Sequence, residues 1–429
     1  MFDRKRYALV GLGIRSKMYT EAMLGDFSKY CELVGLCDSN EGRLLQCRNG
    51  ISNRYGKTIS GFDSKSFDNM IISTRPDTVL VTTGPDSTHD SYICRALELG
   101  CNVITEKPMT IDEDRCRRII KAVEKSGKSI KVTFNYRYSP PRSQIKEILM
   151  AGEIGEILSV DFQWFLDTKH GANYYRRWHR LKQNSGSLLV HKATHHFDLV
   201  NWFLNDIPQT VFCQASLSYY TPENAEKRGL HNRGQRCRGC GEAKNCKFYL
   251  DIESHQELKE LYLDCEHYDG YIRDRCVFSD EIDIWDNMAV NVRYKKGTLL
   301  SYMLYSYSPY EGYRIAFNGT KGRLEHGACE DTYVSGDGSV PGALNKNNVY
   351  IRLISEFSKP REIKVRTGEG GHGGGDPVLL ADLFDPNDRQ DTLGRKANHL
   401  DGAYSILVGI AASKSANTQQ MVRIADLLN

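Results

Sequence analysis

Lys107 is the residue of this chain whose type and position best suit proton transfer. It lies in Glu106-Lys107-Pro108, directly after a short β-branched and apolar run. A lysine at the carboxyl end of a buried strand can hydrogen-bond a ligand hydroxyl and carry its proton, and partial burial would lower its pKa toward that task. A solvated lysine ahead of a helix is the alternative, and position alone leaves the two interpretations even.

A second group of polar side chains centres on two histidines. His191 and His195 are four residues apart, and a helix predicted from residue 192 onward would place Asp198 on their face. Histidines at this spacing transfer protons, bind a substrate or hold a metal. No glutamate stands in the register of a zinc-binding HExxH helix, so we favour proton transfer or substrate binding over a metal. Structural histidines on a buried helix are the remaining interpretation.

Aromatic rings and multivalent donors precede these histidines. Residues 169–180 include Tyr174, Arg177 and Trp178. Flat apolar rings suit the C–H faces of sugars, and forked donors suit neighbouring hydroxyls. The same composition suits stacking on RNA, but the net charge of only +3 argues against nucleic acid.

The elements that position these residues begin with a glycine turn. An apolar strand, residues 7–10, runs into Gly11-Leu12-Gly13-Ile14-Arg15-Ser16, and a second strand ends at Asp38. Gly11 permits a tight turn, Gly13 lets backbone N–H groups approach a pyrophosphate, and the helix N-terminus adds partial positive charge. Asp38 suits hydrogen bonds to an adenosine ribose. The pattern predicts a dinucleotide site, with Ser16 in place of the third glycine of the fingerprint.

Asp38 also predicts which dinucleotide binds. A 2′-phosphate would meet a like charge there, so NAD is favoured over NADP. Arg43 is the nearby cation, and we expect it to lie too far along the chain to reverse that preference.

Strand and helix patterns alternate as far as residue 135. Regular alternation predicts an α/β fold with a doubly wound parallel sheet, whose ligand lies beyond the carboxyl ends of the strands. Further strands are predicted at residues 77–82, 101–105 and 130–134, with helices at 87–100 and 111–126.

The pattern changes past about residue 140. A helix at 143–151 is followed by longer alternating strands, which predict an α+β domain with a mostly antiparallel sheet. We therefore expect a dinucleotide-binding domain at 1–135 and a substrate-binding and oligomerisation domain at 136–429. Residues 220–280 are interpreted as a cysteine-rich insertion. The glycine-rich residues 368–376 are interpreted as a lid, with His372 and Asp376 outside the catalytic set. The strands are predicted at residues 157–166, 210–219, 288–294 and 299–307.

Cysteines in the insertion have the spacing of a zinc knuckle. Cys237, Cys240 and Cys246 give CxxC followed by a third cysteine, and a closed site would hold this loop in place. We take Cys276 as the fourth zinc ligand. Free thiols, or a disulfide formed on oxidation, are as well supported as a zinc site. The other candidates for the fourth ligand are Cys265, His231, His255 and His267.

Composition bounds the classes of protein. The 429 residues contain no apolar stretch of about 18 residues or more, which excludes a membrane-spanning helix. Residues 1–6 lead into the first strand without the apolar region of a signal peptide. A cytoplasmic protein is therefore expected, with its thirteen cysteines mostly reduced.

Together these motifs resemble the Gfo/Idh/MocA oxidoreductase family. The resemblance rests on the glycine turn, Asp38, the Glu-Lys-Pro turn and the His-x2-Asp segment, and it extends to residues 319–325, which are similar to that family's sheet-edge turn. It implies an N-terminal Rossmann domain and a C-terminal domain with a large open sheet. The implied reaction is oxidation or reduction of a hydroxyl carbon on a sugar, inositol or related polyol, with NAD(H) or NADP(H).

The resemblance also implies residue roles. Lys107 matches the family's catalytic lysine and His195 its substrate-side histidine. The family's usual aspartate falls on His191, and Lys192 follows where an apolar residue is usual, so the partner of His195 stays open. The catalytic residues predicted are Lys107, His195 and His191. The cofactor-binding residues predicted are Gly11, Gly13, Ile14, Arg15, Asp38, Thr83, Pro85, His89, Glu106, Lys107 and Asn135. The substrate-binding residues predicted are Lys107, Tyr136, Arg177, Trp178, Lys192, His195 and His196.

Three functions follow from these residues. The first is an NAD-dependent oxidoreductase acting on a sugar or glycoside. The second is an NAD-dependent glycoside hydrolase that oxidises the sugar transiently and eliminates the aglycone, as a sub-branch of the superfamily does. The third is a non-catalytic regulator that binds NAD and a sugar, although retention of Lys107 and His195 argues against it. The resemblance further implies a homo-oligomer formed through the C-terminal sheet.

Overall fold

The computed structural model describes residues 4–332, 349–387 and 390–429. For residues 330–332 it describes the backbone alone. The described chain forms two compact units, each assembled from separate stretches. The first unit takes the chain up to Ser139 together with Ile252–Arg273 and Glu369–Ala403, and the second takes Pro140–Asp251, Asp274–Gly368 and Tyr404–Asn429.

A six-stranded parallel sheet forms the centre of the first unit. Its order is β3-β2-β1-β4-β5-β6, with all neighbours parallel. The four residues of β4 are all buried, as expected for a strand covered on both faces. The order reverses between β1 and β4, which is where such sheets bind ligands. The predicted doubly wound sheet is thus confirmed. The strands are β1 Lys5–Val10, β2 Cys31–Asp38, β3 Ser60–Asp63, β4 Thr78–Val81, β5 Asn102–Thr105 and β6 Ile130–Val132.

Local capping fixes where the helices of this sheet begin and end. The side chain of Asn40 accepts from the Arg43 N–H, and the side chain of Asp112 accepts from the Arg115 N–H. Gly56 and Gly127 end two of the helices in the left-handed conformation. The helices are α1 Ser16–Leu24, α2 Glu41–Tyr55, α3 Phe67–Thr74, α4 His89–Glu98 and α5 Glu113–Ser126.

The second unit is built on a mixed, mostly antiparallel sheet, as predicted. Nine strands of the described chain form it, in the order β14-β13-β12-β11-β7-β10-β9-β8-β15. Only β7 and β10 pair in parallel among these strands. Buried and exposed residues alternate along β9, so one face of the sheet packs on the unit's helices. The strands are β7 Ile157–Asp167, β8 Pro208–Ser216, β9 Asn287–Tyr294, β10 Leu299–Ser308, β11 Tyr310–Gly319, β12 Gly322–Thr332, β13 Tyr350–Ser355, β14 Arg361–Ile363 and β15 Val422–Arg423.

The helix that we predicted from residue 192 onward begins at residue 194, and His191 lies on a separate short helix before it. Residues 188–191 and 194–204 form separate helices, because the backbone bonds change register between them. The N–H of Ala193 reaches back five residues to Leu188 O at 2.8 Å, whereas the N–H of His195 reaches only to Lys192 O at 3.2 Å. His191 and His195 therefore lie on different helices. The helices of this part of the chain are α6 Pro140–Met150, α7 Thr168–Arg176, α8 Lys182–Ser185, α9 Leu188–His191, α10 Thr194–Leu204 and α11 Pro222–Lys227.

Two later stretches return to the first unit, unlike the linear division at residue 135. Within residues 252–273, a short helix runs into a π-helical turn, Lys259–Leu263, and Asn40 donates to Cys265 O at 2.9 Å. Within residues 369–403, Asp376 accepts from Asn135 at 2.7 Å. These polar contacts hold both stretches in the first unit. Leu379, from the second stretch, also packs in that unit's apolar core. The remaining helices are α12 Gln256–Leu258, α13 Glu266–Asp269, α14 Gly371–Phe384, α15 His399–Thr418 and α16 Ile424–Leu428.

Two helical glycines should respond oppositely to alanine. A Cβ on Gly171, in α7, would lie 1.9 Å from Ser306 O, whereas a Cβ on Gly50, in α2, would meet no heavy atom within 4 Å. We expect Gly171→Ala to lower the free energy of unfolding by about 2 kcal/mol through overpacking. Gly50→Ala should raise it by about 0.5–1 kcal/mol through helix propensity. Urea denaturation of both variants checks this, and equal midpoints would contradict it.

Candidate active site

The glycine turn after β1 lies against the loop that follows β4. Gly11 has φ +91°, and a Cβ there would lie 2.5 Å from the Thr83 backbone, so only glycine fits. Thr82 Oγ1 donates to Gly11 O at 2.6 Å. Ser16, at the position of the missing third glycine, is buried and donates its hydroxyl to Gly13 O at 2.7 Å. The serine therefore braces the turn.

Asp38 is held beside this turn at the end of β2. Its side chain is 6% exposed; one carboxylate oxygen accepts from the Leu12 N–H at 2.6 Å, and the other accepts from the Asn40 N–H at 2.7 Å. A carboxylate fixed at this place fits a ribose diol. The expectation that Arg43 lies too far away is wrong, because α2 turns its guanidinium back to 3.4 Å from Asp38 Oδ1.

Glu106 connects the turn that carries Lys107 to the glycine turn. Its carboxylate accepts from Tyr19 Oη at 2.6 Å and from Arg15 Nε at 2.7 Å. Burial acts to raise the pKa of Glu106, but the Arg15 guanidinium, the Tyr19 hydrogen bond and the Lys107 charge together hold that pKa below its usual value. Lys107 is half-buried, and its own N–H donates to Glu106 Oε2 at 3.3 Å. Glu106 is thus an ionised anchor for the lysine turn.

His89 joins the loops after β4 and β5. The imidazole is buried, with Nε2 2.9 Å from Thr83 O and Nδ1 2.8 Å from Pro108 O. Burial lowers the pKa of His89 despite these two carbonyl contacts. Pro85 lies in the first of the two loops, where its carbonyl accepts from the Thr88 N–H at 3.0 Å. His89 therefore positions the lysine turn through the backbone.

The glycine-rich residues that we interpreted as a lid pack closely on the end of β6. A Cβ on Gly375 would lie 2.4 Å from Asn135 O. Asp376 accepts from Asn135 Nδ2 at 2.7 Å and lies 2.9 Å from His372 Nδ1 and 3.6 Å from the Arg15 guanidinium. Burial opposes ionisation of Asp376, but His372, Arg15 and Asn135 hold its pKa well below the usual range. Asp376, which we set aside from the sequence, thus belongs to the Arg15–Glu106 network.

Tyr136 lies beside the same loop. It is 3% exposed, and its ring centroid is 5.6 Å from that of His372. The substrate-binding role of Tyr136 stays a prediction.

In the second unit, Lys192 and Glu311 form the centre of a buried polar cluster. Glu311 accepts from Trp164 Nε1 at 3.3 Å and lies 3.2 Å from His170 Nδ1. Lys192 Nζ lies 4.0 Å from Glu311 Oε1 and 4.8 Å from the Trp164 ring centroid. Burial acts to raise the pKa of Glu311, but His170 and then Lys192 keep it below its ordinary value. The cluster therefore brings the Lys192 ammonium and the Glu311 carboxylate together in a buried place.

His191 lies in a group of rings connected to this cluster. Its ring centroid is 4.2 Å from that of His179, 5.5 Å from that of Tyr174 and 5.8 Å from that of Trp178. Tyr174 Oη lies 2.9 Å from His170 Nε2, and the other ring nitrogen of His170, Nδ1, lies 3.2 Å from Glu311 Oε1. Two predicted residues, Arg177 and Trp178, are half-buried beside these rings.

His195 and His196 begin α10 in different surroundings. His195 is 3% exposed. His196 is fully buried, with Nδ1 2.6 Å from Tyr302 Oη and its ring stacked on Trp164 at a centroid distance of 4.2 Å. These are the contacts of a packing residue beneath the cluster, and the substrate-binding role of His196 stays a prediction.

Two family models match the chain and cover most of it. The oxidoreductase-family NAD-binding Rossmann fold of Gfo/Idh/MocA proteins matches residues 5–134, and that family's C-terminal alpha/beta domain matches residues 146–424. The chain belongs to the Gfo/Idh/MocA oxidoreductase family. It is an NAD-binding oxidoreductase, and the resemblance inferred from the motifs is confirmed.

Of three named proteins to which this chain is similar, two are named as dehydrogenases. The Bacillus subtilis protein YteT is 38% identical over 99% of this chain and 98% of its own length. The D-glucoside 3-dehydrogenase of Escherichia coli is 30% identical over 35% of this chain and 41% of its own length. A solved structure, the WlbA dehydrogenase of Bordetella pertussis in complex with NADH and UDP-GlcNAcA, shares the fold with a TM-score of 0.64 at 16% identity, covering 98% of this chain and 99% of that one. None of these comparisons supports the hydrolase or the regulator.

The zinc knuckle predicted in this Gfo/Idh/MocA chain is not supported. Cys237, Cys240, Cys246 and Cys276 do line one small cavity, and all four are thiols. Within residues 4–332, 349–387 and 390–429, however, no group of three or more His, Cys, Asp or Glu side chains is placed to hold a metal ion. In this structure Cys237 Sγ accepts from the Leu250 N–H at 3.3 Å. Nor does any helix in the described stretches have the length and apolar character to cross a membrane.

Proposed function

We propose that this protein is an NAD-dependent dehydrogenase that moves a hydride between nicotinamide and a hydroxyl-bearing carbon of a sugar, polyol or glycoside. The observation that carries the proposal is the lysine turn at the carboxyl end of β5. Lys107 follows Glu106, whose carboxylate Arg15 and Tyr19 hold at 2.7 and 2.6 Å. In this fold that edge of the sheet is where the ligand binds.

The first unit fits the cofactor. Gly11 brings the turn against Thr83, and the Cβ that Gly13 lacks would lie 3.5 Å from Tyr262 Oη, which accepts from the neighbouring Ile14 N–H. Asp38 is oriented by two backbone N–H groups for a ribose diol. NAD(H), when bound, supplies the hydride acceptor or donor. Residues Ile14, Arg15, Thr83, Pro85, His89 and Asn135 would surround it.

Lys107 would hold and move the proton of the reacting hydroxyl. Lys107 follows the ionised Glu106, whose pKa its charge helps to lower. Its side chain can donate to the substrate oxygen or accept the proton that leaves as the carbonyl forms. His195 and His191 are the further candidates for proton transfer.

The second unit supports a polyhydroxylated substrate. Lys192, His170 and Glu311 offer donors and an acceptor side by side, and Trp164 lies 4.8 Å below the Lys192 ammonium. A carboxylate beside nitrogen donors suits the neighbouring hydroxyls of a sugar. The relative from Escherichia coli is named as a glucoside dehydrogenase, which points to the same class.

A substrate panel tests the proposal. Sugars, polyols and aryl glycosides are incubated with the protein and NAD⁺, and reduced cofactor and liberated aglycone are followed together. We expect reduced cofactor to form with at least one compound while the aglycone stays bound to its sugar. Release of aglycone without net NADH would identify a hydrolase instead, and no reaction in either channel would contradict the proposal.

We also propose a homo-oligomer formed through the nine-stranded sheet. Buried and exposed residues alternate along β9 and the start of β10. Among the described residues, one face of these two strands is therefore exposed, and Leu299 on that face is 47% exposed. Light scattering that gave only the mass of one chain would contradict this.

A further inference from the structure

Residues 252–273, here called the cap segment, cover the adenosine side of the first unit. The segment follows the cysteine-rich stretch in sequence but packs on α2. Asn40 Nδ2 donates to Cys265 O at 2.9 Å, and the Gln46 amide donates to Glu260 O. A Cβ on Gly42 would lie 2.7 Å from Cys265 Sγ and from the Tyr268 ring. This glycine lets the cap segment approach the helix that follows Asp38.

One side chain of the cap segment reaches the glycine turn. Tyr262 is 7% exposed, and its hydroxyl accepts from the Ile14 N–H at 3.3 Å. That N–H belongs to the group expected to face a pyrophosphate. The cap segment therefore touches the dinucleotide site at a second place, independently of α2.

A charged triad joins the cap segment to Asp38. The Arg43 guanidinium lies 2.5 Å from Asp269 Oδ2 and 3.4 Å from Asp38 Oδ1. The side chains of Arg43, Asp38 and Asp269 are 12%, 6% and 21% exposed, so water screens these charges only in part. Two carboxylates thus share one guanidinium, and the closer contact is with Asp269.

We propose that Asp269, from the cap segment, sets the preference of this site for NAD over NADP by occupying Arg43. An arginine beside the adenosine ribose is the group that accommodates a 2′-phosphate. With Asp269 in place, the guanidinium is engaged and the triad keeps a net negative charge. Without it, the charge of the Asp38–Arg43 pair falls to zero and the donors of Arg43 become available. The inference rests on the proposed function, because it assigns a selectivity to the same NAD site.

Direct binding tests it without an assay of activity. Calorimetry gives the Kd of NAD⁺ and NADP⁺ for the wild type, Asp269→Asn, the double variant Asp269→Asn/Arg43→Ala and the control Asp264→Asn. Asp264 lies in the same segment but is 44% exposed and pairs with Lys259. We expect Asp269→Asn to lower the ratio of the NADP⁺ Kd to the NAD⁺ Kd by about tenfold. The Kd of NAD⁺ should change by less than about threefold, the double variant should reverse the gain, and the control should match the wild type.

The outcomes separate this inference from the proposed function. A wild type that binds NAD⁺, with an unchanged ratio in Asp269→Asn, would overturn the inference and leave the proposed function standing. Loss of NAD⁺ binding in Asp269→Asn would also overturn it, since NAD⁺ affinity is expected to persist. A wild type that binds neither dinucleotide would overturn both.

Discussion

Lys107→Ala should lower kcat/KM roughly a thousandfold with the best substrate of the panel, because the reacting hydroxyl loses its proton donor and acceptor. The half-buried lysine follows a glutamate that is already ionised and held by two donors. Removing the side chain beyond Cβ therefore leaves the turn in place. The Kd of NAD⁺, measured by calorimetry, should change by less than about tenfold, so that the loss appears in the chemical step.

Lys121→Ala is the matched control for that variant. Lys121 is exposed on α5, and its removal should leave both kcat/KM and the Kd of NAD⁺ as in the wild type. Full activity of Lys107→Ala would refute the catalytic role of the lysine. A large loss of NAD⁺ affinity in that variant would instead make Lys107 chiefly a cofactor ligand.

Glu106→Gln should lower the free energy of unfolding by about 3 kcal/mol at neutral pH, since it removes the buried charge that Arg15 and Tyr19 surround. The Glu106 side chain is 9% exposed, so the loss exceeds that of an exposed ion pair. Urea denaturation measures the change. Glu98→Gln, which breaks the exposed Arg95–Glu98 pair, 52% exposed at the carboxylate, is the control and should cost less than about 1 kcal/mol.

The effect of Glu106→Gln should depend on pH with a definite sign. The pKa of Glu106 is lower in the folded protein than its usual value, so its charge stabilises the fold above the unfolded pKa of about 4.3. That stability is lost as the pH falls through the folded pKa. The difference in unfolding free energy between wild type and variant should therefore be constant near neutrality and shrink in acid. A difference that grew in acid would contradict the ionised Glu106.

The sequence predicted those features that depend on neighbouring residues. The glycine turn, Asp38 and the lysine turn follow from strand and turn patterns over short distances, and they define the parallel sheet. The mixed sheet of the second unit was also predictable from its alternating strands. The break between α9 and α10 could not be predicted. It depends on a shift in the backbone hydrogen bonds, and neither glycine nor proline stands at residues 192–193 to indicate it.

Features that join distant residues could not be predicted in this way. Asp269 meets Arg43 across 226 positions, and Asp376 meets Asn135 across 241. Glu311 lies in none of the motifs or strands predicted from the sequence, yet its carboxylate is at the centre of the second unit's cluster. The four cysteines had a metal-like spacing, but spacing alone does not place the four sulfurs around one ion.

The three stretches that compose the first unit have a consequence for biosynthesis. During translation, the stretch up to Ser139 is made first, and it contains all six strands of the parallel sheet. The cap segment and Asp376 are synthesised later. Because the last of these stretches ends at Ala403, the surface of the nascent sheet is complete only after residue 403 has been synthesised. Domains usually fold in the order of their synthesis, whereas here the amino-terminal unit should be finished late. A chain truncated before residue 369 would lack Asp376, the carboxylate that Asn135 and Arg15 contact.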